Sequence, residues 1–567
     1  MRSVLGFALS LQALLHPGIW TKKPRCKCLS TEPCWPSAHE FSELQSQLSQ
    51  PLLKPIPPAS PCYTSGPTSA DCLAVQNSWD NATWRSDQPG SMQSPNFDNY
   101  IFKNGTINAC YLNTSLGVRC EQGSVPVLGV DTRWPEDVEA AVKFASTHNL
   151  RVVVKNTGHD YLGRSTARGS FLIWTHNMKN ISFHDTFTPV SGPASVIYND
   201  VVTLGGGVQW NEAYAAVNSR GRDIVGGVST AGSVGSAGGW FQGGGHSALS
   251  PKYGLGVDNA IQLTVVTADG VHRTANTYRN PDLFWALRGG GGGTFGVVTS
   301  VTYKTYPSTP IIVSNFSAYI NTTVSNATAS PVLQELFTEF VRMTPAMSDG
   351  GWAGYATIAP MAPTFANSLA FTYLAPNLSW EAANATMNPF FDFARALAAN
   401  SSVETTGKLN IVAASTIPMD SFATLYERDL AKATGPAGTS ELTSRLIAGG
   451  AVAKPDPNST GLNPAWRKAL VLYILWTAWD EGASSSVIEQ QRDTLKRYTS
   501  VLNDLVPHAG TYLNEASLHE LDSPSTFFGS HYARLRSIKA KYDPADLFIV
   551  ASGVGSEDWD IDLNCHI

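Results

Sequence analysis

The chain has 567 residues, 43% of them hydrophobic and 15% charged, with a formal net charge of −6 at pH 7. This balance excludes a disordered chain, and the length exceeds one ordinary domain. With no basic run, it also excludes an electrostatic nucleic-acid binder. Met1-Arg-Ser-Val-Leu-Gly-Phe-Ala-Leu-Ser-Leu-Gln-Ala-Leu-Leu15 has a basic start and a short apolar core, so residues 1–20 read as a secretory signal peptide. That run is too short to span a bilayer and no other reaches membrane length, so no membrane association is expected.

Residues 21–120 are rich in Pro, Ser and Cys and read as a largely irregular, disulfide-tied extension. Of the 8 cysteines, Cys565 alone lies beyond residue 120, so the C-terminal tail is expected to fold back to the N-terminal region. An even count behind a signal peptide favours disulfides. The Cys26, Cys28, Cys34 spacing could suggest zinc, but no His pair follows at finger spacing, and no metal is expected. Cys110 and Cys120 are close enough to close a small loop. Sequons at Asn81, Asn104, Asn113, Asn180, Asn315, Asn321, Asn326, Asn377, Asn384, Asn400 and Asn458 predict N-linked glycans, in keeping with secretion.

Trp134–Ala145 has helical apolar spacing and an acidic first turn. A β-branched strand, Val152–Val154, follows and ends in Lys155-Asn-Thr-Gly-His159, a turn whose backbone N–H groups can form an anion-binding nest. Ala194–Leu204 is strand-like, Trp210–Val217 helical, and Ala260–Gly270 a strand running into a turn. Between these lies Val225-Gly-Gly-Val-Ser-Thr-Ala-Gly-Ser-Val-Gly-Ser-Ala-Gly-Gly-Trp-Phe-Gln-Gly-Gly-Gly-His-Ser247. Its interleaved Val, Trp and Phe argue against a flexible linker. Asp282–Gly289 reads as a short helix ended by glycine, and Thr294–Tyr306 as a strand. Pro307 and Pro310 mark a boundary, after which strands such as Leu470–Trp476 mix with helices such as Val332–Arg342 and Ser485–Leu505 in a second α+β domain over 310–520.

Two glycine-rich, phosphate-friendly segments and an adjacent histidine suggest a large phosphorylated cofactor. An isolated Thr-Gly-His would be a surface turn; the other motifs change that reading. Tyr253-Gly-Leu-Gly-Val-Asp-Asn259, Arg288-Gly-Gly-Gly-Gly-Gly-Thr-Phe-Gly296, Gly510-Thr-Tyr-Leu-Asn-Glu-Ala-Ser517 and Phe527–Phe548 follow in order. Together they resemble the fungal, berberine-bridge-enzyme-like group of the vanillyl-alcohol-oxidase superfamily, nearest to isoamyl-alcohol-oxidase-like proteins. The resemblance implies an α+β fold: a two-part FAD-binding domain of the PCMH type (121–309 and 521–567) with an inserted α+β substrate domain (310–520) built on an antiparallel sheet.

The resemblance also implies site residues. His159 would carry FAD through a covalent bond from its ring to the 8α-methyl. Asn156, Thr157, Gly158, Asp160, Gly163, Arg164 and Ser165 would surround it. Val234, Gly235, Gly238, Gly239, Gly243, Gly244, Gly245 and His246 would form the flavin-binding loop, with Gly254, Asp258, Val298, His531 and Tyr532 also at the cofactor. The family's second, cysteinyl flavin link falls on Ala231, which has no nucleophile, so one covalent bond is expected. Thr294 and His531 replace family asparagines. Tyr512 is the first candidate for general base and Glu515 the second; a tyrosine in this role needs a depressed pKa.

No G-x-G-x-x-G follows a strand, no phosphate-binding P-loop and no H-E-x-x-H occur, and Gly245-His-Ser-Ala-Leu249 is not a nucleophile elbow. The expected activity is a secreted FAD-dependent oxidase that takes hydride from a small alcohol or a secondary-metabolite intermediate and passes electrons to O2, giving H2O2. The alternatives are a flavin-binding protein, a dehydrogenase with another acceptor, and, far behind, a non-flavin glycoprotein.

Overall fold

The computed structural model describes residues 26–321, 330–359, 367–402, 407–430, 442–520 and 522–567. The expected signal peptide and Asn326 lie outside them. Among the described residues no helix is long and apolar enough to cross a membrane.

The N-terminal extension is more ordered than its composition predicts. It contains α1 (Ala38–Gln45), α2 (Ala70–Ser78) and shorter helices at Pro61–Thr64 and Ala82–Ser86. Local capping overrides the breaker-rich composition: Ser37 and Glu40 form a reciprocal capping box, and the Ser69 hydroxyl accepts from Cys72 N. Disulfides Cys28–Cys34, Cys62–Cys72 and Cys110–Cys120 close small loops, while Cys26–Cys565 ties the two chain ends together across 539 residues. The zinc alternative is thereby removed, because Cys28 and Cys34 are bonded to each other.

Three strands, β1 (Leu128–Asp131), β2 (Val152–Lys155) and β3 (Phe171–Trp174), form a parallel sheet with β3 in the centre. Helix α3 (Pro135–Thr147) crosses over from β1 to β2, the two outer strands of this sheet, which both pair with β3. Pro135 opens α3, and Asp137 accepts from the backbone of Arg133 and Trp134 at 2.9 and 3.1 Å. The buried face of α3, Val138, Ala141, Val142 and Ala145, repeats at helical spacing and packs with Phe171 and Ile173.

An antiparallel sheet of five strands follows: β4 (Ile181–Phe187), β5 (Tyr198–Gly205), β6 (Ala260–Val266), β7 (His272–Asn276) and β8 (Val297–Lys304), in spatial order β7-β6-β8-β5-β4. Helix α4 (Trp210–Asn218) returns from β5 and buries Trp210, Tyr214 and Val217 in the same core as Val265, Val298 and Tyr303.

The third sheet has six antiparallel strands: β9 (Ile311–Asn321), β10 (Ala353–Ala359), β11 (Ser368–Pro376), β12 (Lys408–Met419), β13 (Leu442–Leu446) and β14 (Val471–Leu475). Their order is β12-β9-β11-β10-β13-β14. Helices α5 (Pro331–Asp349) and α6 (Trp380–Asn400) share its core through Phe316, Phe340, Phe371 and Phe390. Helix α7 (Ser485–Leu505) follows β14, and α8 (Tyr532–Tyr542) returns to the earlier sheets. There the Lys539 ammonium reaches the Thr294 and Phe548 carbonyls at 2.9 and 2.6 Å.

Candidate functional site

A cavity of about 360 Å³ lies where β2, the glycine-rich loop, β13 and the 512–515 segment meet. Its lining brings together Asn156, Thr157, Gly158, His159, Asp160, Arg164, Ser165, Val234, Gly235, Gly238, Gly239, Val298, Tyr512 and Glu515. Residues more than 350 positions apart in sequence thus share one wall. Trp240, Gln242, Arg445, Trp476 and Asn514 complete it.

The His159 turn depends on glycine. Gly158 has φ +79°, and a Cβ there would meet the Ser91 carbonyl and the Met92 backbone. The N-terminal extension braces this turn from behind. Gln93 N donates to the Gly158 carbonyl at 2.9 Å, and the Gln93 amide donates to the Thr157 carbonyl at 3.2 Å. Buried Lys155 donates to Gln88 O at 2.6 Å and to the Ser91 carbonyl.

The chemistry of His159 follows from one neighbour. The Ser233 hydroxyl donates to Thr230 O at 2.9 Å, so it accepts from His159 Nε2–H, 2.8 Å away. This leaves Nδ1 with the ring's lone pair. Burial lowers the His159 pKa to about 4 against the opposing pull of Glu515, so the imidazole is neutral at pH 7. A neutral ring with a lone pair is a nucleophile.

Asn514 is the knot of the site. Its side-chain oxygen accepts from Arg164 at 2.6 Å, and its amide donates to Gly239 O at 2.6 Å and to the Tyr512 hydroxyl at 2.8 Å. Arg164 also grips Asp160, donating through Nε at 2.8 Å. The Tyr512 hydroxyl in turn donates to Trp240 O at 3.3 Å.

Glu515 accepts from Arg445 at 2.7 Å and lies 3.3 Å from His246 Nε2. The Glu515 and Arg445 side chains are each only 15% exposed. Burial opposes ionisation of Glu515, but Arg445 and His246 outweigh it and hold the carboxyl below its ordinary range. Tyr512 moves the other way. Burial and the Glu515 charge push its phenol far above the ordinary value, so it stays protonated. Of the two candidate bases, the ionised one is Glu515. The expectation of a depressed Tyr512 pKa is corrected: no cation offsets its burial enough.

Several expected cofactor residues stand behind the cavity wall. A Cβ on Gly243, Gly244 or Gly245 would collide with Asn514, Leu462 or Trp240, so these glycines permit close packing of the loop. His246 does not line the cavity, but its ring touches residues that do: Glu515 and Arg445, each 3.3 Å from Nε2, and the Tyr512 ring, edge-on at 5.0 Å. Gly163 packs under the Phe97 ring. Gly254 abuts Asp258, whose carboxylate binds Arg467 at 2.8 Å. His531 lies against Trp285 and 3.2 Å from Asn458 Oδ1, and Tyr532 bonds Glu557. Neither residue lines the cavity.

Sequence reasoning missed Asn514, Arg445, Gln242, Tyr161 and Trp476. Asn514 had a signal, as the last residue of Tyr512-Leu-Asn514. Arg445 had none: it is one residue of a short strand whose neighbours only the sheet defines.

The cavity fits a flavin dinucleotide. Gly235, Gly238, Gly239, Gly292 and Gly293 line it and give a large ring system and a pyrophosphate close access to backbone. Asn156 Oδ1, Arg164 Nη1 and Gln242 Oε1 are buried without protein partners, a set of acceptors and a cation suited to a polar, anionic ligand.

Comparison with known proteins agrees. Residues 130–276 match the FAD binding domain family, and residues 511–555 the family described as berberine and berberine like. The chain is 38% identical to an uncharacterized FAD-linked oxidoreductase of Arthroderma benhamiae, covering 95% of both chains. It is 33% identical to the VAO-type flavoprotein oxidase VAO615 of Thermothelomyces thermophilus, over 95% of this chain and 94% of the relative. The crystal structure of the VAO-type flavoprotein MtVAO615 from Myceliophthora thermophila C1 superposes with a TM-score of 0.79 at 30% identity, covering 96% of this chain and 100% of that one. The chain belongs to the VAO-type FAD-linked oxidoreductases, enzymes that pair an FAD binding domain with a berberine-like C-terminal segment.

Proposed function

We propose that the protein is a secreted oxidase that holds FAD covalently through His159 Nδ1 and oxidises an alcohol to a carbonyl compound. The observation that carries this reading is the shared cavity: the neutral, lone-pair-bearing His159, the glycine-rich wall and the ionised Glu515 face one space. FAD, when bound, takes two electrons from the substrate carbon and passes them to O2. The carbinol carbon loses a hydride and its hydroxyl a proton; O2 gains two electrons and two protons as H2O2.

The chain's own residues do the rest. Glu515 accepts the hydroxyl proton: each wall carboxylate is paired with an arginine, but both Asp160 oxygens are taken by Arg164, through its backbone N–H and its guanidinium, whereas Arg445 engages one Glu515 oxygen. Arg445 keeps Glu515 charged, and Asn514 holds the His159 turn against the glycine loop. Ser233 fixes the tautomer of His159. A single covalent bond is favoured because Ala231 stands at the second-link position and the cysteines are paired in disulfides. The division of the chain into an extension (21–120), cofactor segments (121–309 and 521–567) and a substrate domain (310–520) is supported by the separate antiparallel sheets. The name of the Thermothelomyces relative favours oxygen as acceptor.

The test is a visible spectrum of purified protein before and after acid precipitation, with mass spectrometry of the digested pellet. A yellow pellet with FAD mass on the His159 peptide, followed by alcohol-dependent bleaching and peroxide release in air, is the expected result. Yellow protein with a colourless pellet would refute the covalent link. Bleaching without reoxidation in air would make the protein a dehydrogenase.

A further inference from the structure

Beside the His159 cavity lies a second one, of about 900 Å³. Tyr161, Trp476, Tyr512 and Glu515 line both, so the two adjoin at the carboxylate proposed to accept the proton. Strand β14 forms one wall and α7 the other. Helix α7 is a 21-residue amphipathic helix in which Ile488 alone is fully buried. A helix with an apolar stripe ordinarily packs it onto a core. Here Leu495, Thr499 and Leu502 of that stripe line the cavity instead. At the junction, the Trp476 ring meets Tyr161 edge-on at 4.8 Å, and Trp476 Nε1 is buried without a protein acceptor.

These features select a substrate. A space of this size matches a drug-sized ligand of several rings, and a small alcohol would fill a minor part of it. The lining is more apolar than polar: Trp466, Trp476, Leu472, Leu495 and Leu502 stand beside scattered polar groups such as Asn96, Arg492 and His519, so it suits an apolar ring body better than an oligosaccharide's unbroken run of hydroxyls. Aromatic walls favour stacked or edge-on rings, and the orphaned indole N–H calls for one acceptor on the ligand.

We propose that the substrate is a bulky, largely apolar polycyclic alcohol. Its ring body lies between β14 and α7, one of its oxygens accepts from Trp476 Nε1, and its carbinol group reaches Glu515. This rests on the oxidase reading above and names the substrate class of that same site.

The test uses the FAD-loaded protein and two readouts. One is saturable binding of the uncharged fluorophore N-phenyl-1-naphthylamine and its displacement by 9-anthracenemethanol. The other is the rate of flavin bleaching by 9-anthracenemethanol, 3-methyl-1-butanol and cellobiose. Leu502→Arg, which places a charge in the cavity, is expected to weaken fluorophore binding by at least roughly tenfold while flavin absorbance is kept. Val487→Lys, on the exposed face of α7 outside the cavity, is expected to change nothing. Leu495→Gln replaces Leu502→Arg should the latter not fold. The proposal is overturned if the fluorophore does not saturate, if the cavity variants bind it as tightly as the parent, or if cellobiose or 3-methyl-1-butanol bleaches the flavin faster than 9-anthracenemethanol. Colourless protein that still binds the fluorophore at the Leu502 site would support the apolar cavity and defeat the oxidase reading, so the two failures are distinguishable.

Discussion

Glu515 and Tyr512 sit three residues apart and meet opposite electrostatic fates. Both are buried, but Glu515 has Arg445 at 2.7 Å, whereas the charge that acts most on Tyr512 is Glu515 itself, ahead of Arg445 and Arg164. Removing the proton acceptor should therefore matter more than removing the phenol. Glu515→Gln is expected to slow flavin reduction by about 10²–10⁴-fold. Tyr512→Phe, which loses bonds to Asn514 and Trp240 O and leaves that buried carbonyl short of a donor, should cost about 1–3 kcal/mol of local stability and much less rate. Stopped-flow bleaching of the two variants decides the order; equal losses would return Tyr512 to the mechanism. Arg445 gives a pH prediction. Burial opposes ionisation of Glu515, and Arg445 is the largest opposing influence. In Arg445→Met the burial remains and the cation is gone, so the carboxyl pKa rises. The ionised form that accepts a proton is then lost at a higher pH, and the acid limb of the flavin-reduction profile moves upward. A limb that stays in place would show that another group titrates there.

At the scale of elements, the working unit is a strand followed by a turn that a foreign segment holds. Strand β2 delivers the His159 turn, but the 88–93 stretch of the N-terminal extension fixes its carbonyls. Gln93→Ala removes the side-chain bonds to Thr157 O, Ala82 O and Ser86 Oγ and leaves buried carbonyls short of a donor, a loss of about 1–3 kcal/mol shared between the turn and the 82–86 helix. The expected outcome is a lower fraction of acid-stable flavin, with normal far-ultraviolet dichroism. An unchanged fraction would mean that β2 and the glycine loop set the turn alone. The glycine loop shows the same division of labour. Gly235, Gly238 and Gly239 face the cavity, while Gly243, Gly244 and Gly245 exist to let Asn514, Leu462 and Trp240 approach.

At the scale of the molecule, the candidate site is lined by residues between Val154 and Glu515, from β2, the glycine loop and the inserted sheet, and is braced from behind by the 88–93 stretch. The Cys26–Cys565 bond holds the two chain ends together, as the lone C-terminal cysteine implied. The surface carries the remaining prediction. Asn81, Asn104, Asn113, Asn180, Asn321, Asn377, Asn400 and Asn458 are exposed, whereas Asn315 and Asn384 are partly covered. Enzymatic removal of N-glycans from protein made by a secreting host should lower its mass, with glycopeptides drawn mainly from the exposed group. An unchanged mass would refute the glycosylated, secreted reading.

The cofactor half was legible because its requirements are local. A β-branched run ending in Thr157-Gly158-His159 and a glycine loop studded with Val and Trp are forced by strand pairing and close backbone approach, and both survive in a bare sequence. Helix α7 was legible in full because its period is its own. The helices of the N-terminal extension were not, since single caps at Ser37 and Ser69 decided against a breaker-rich composition. Which tyrosine or carboxylate is charged was equally hidden. That depends on Arg445 arriving from β13 through pairings with β10 and β14, contacts that no local pattern records. Sequence alone determined the family and the FAD cofactor, and singled out the His159 turn that lines the cavity. Tertiary structure decided the charge states of the two candidate bases, the knot at Asn514 and the shape of the adjoining cavity, because each arises from burial and charge created only when distant segments meet.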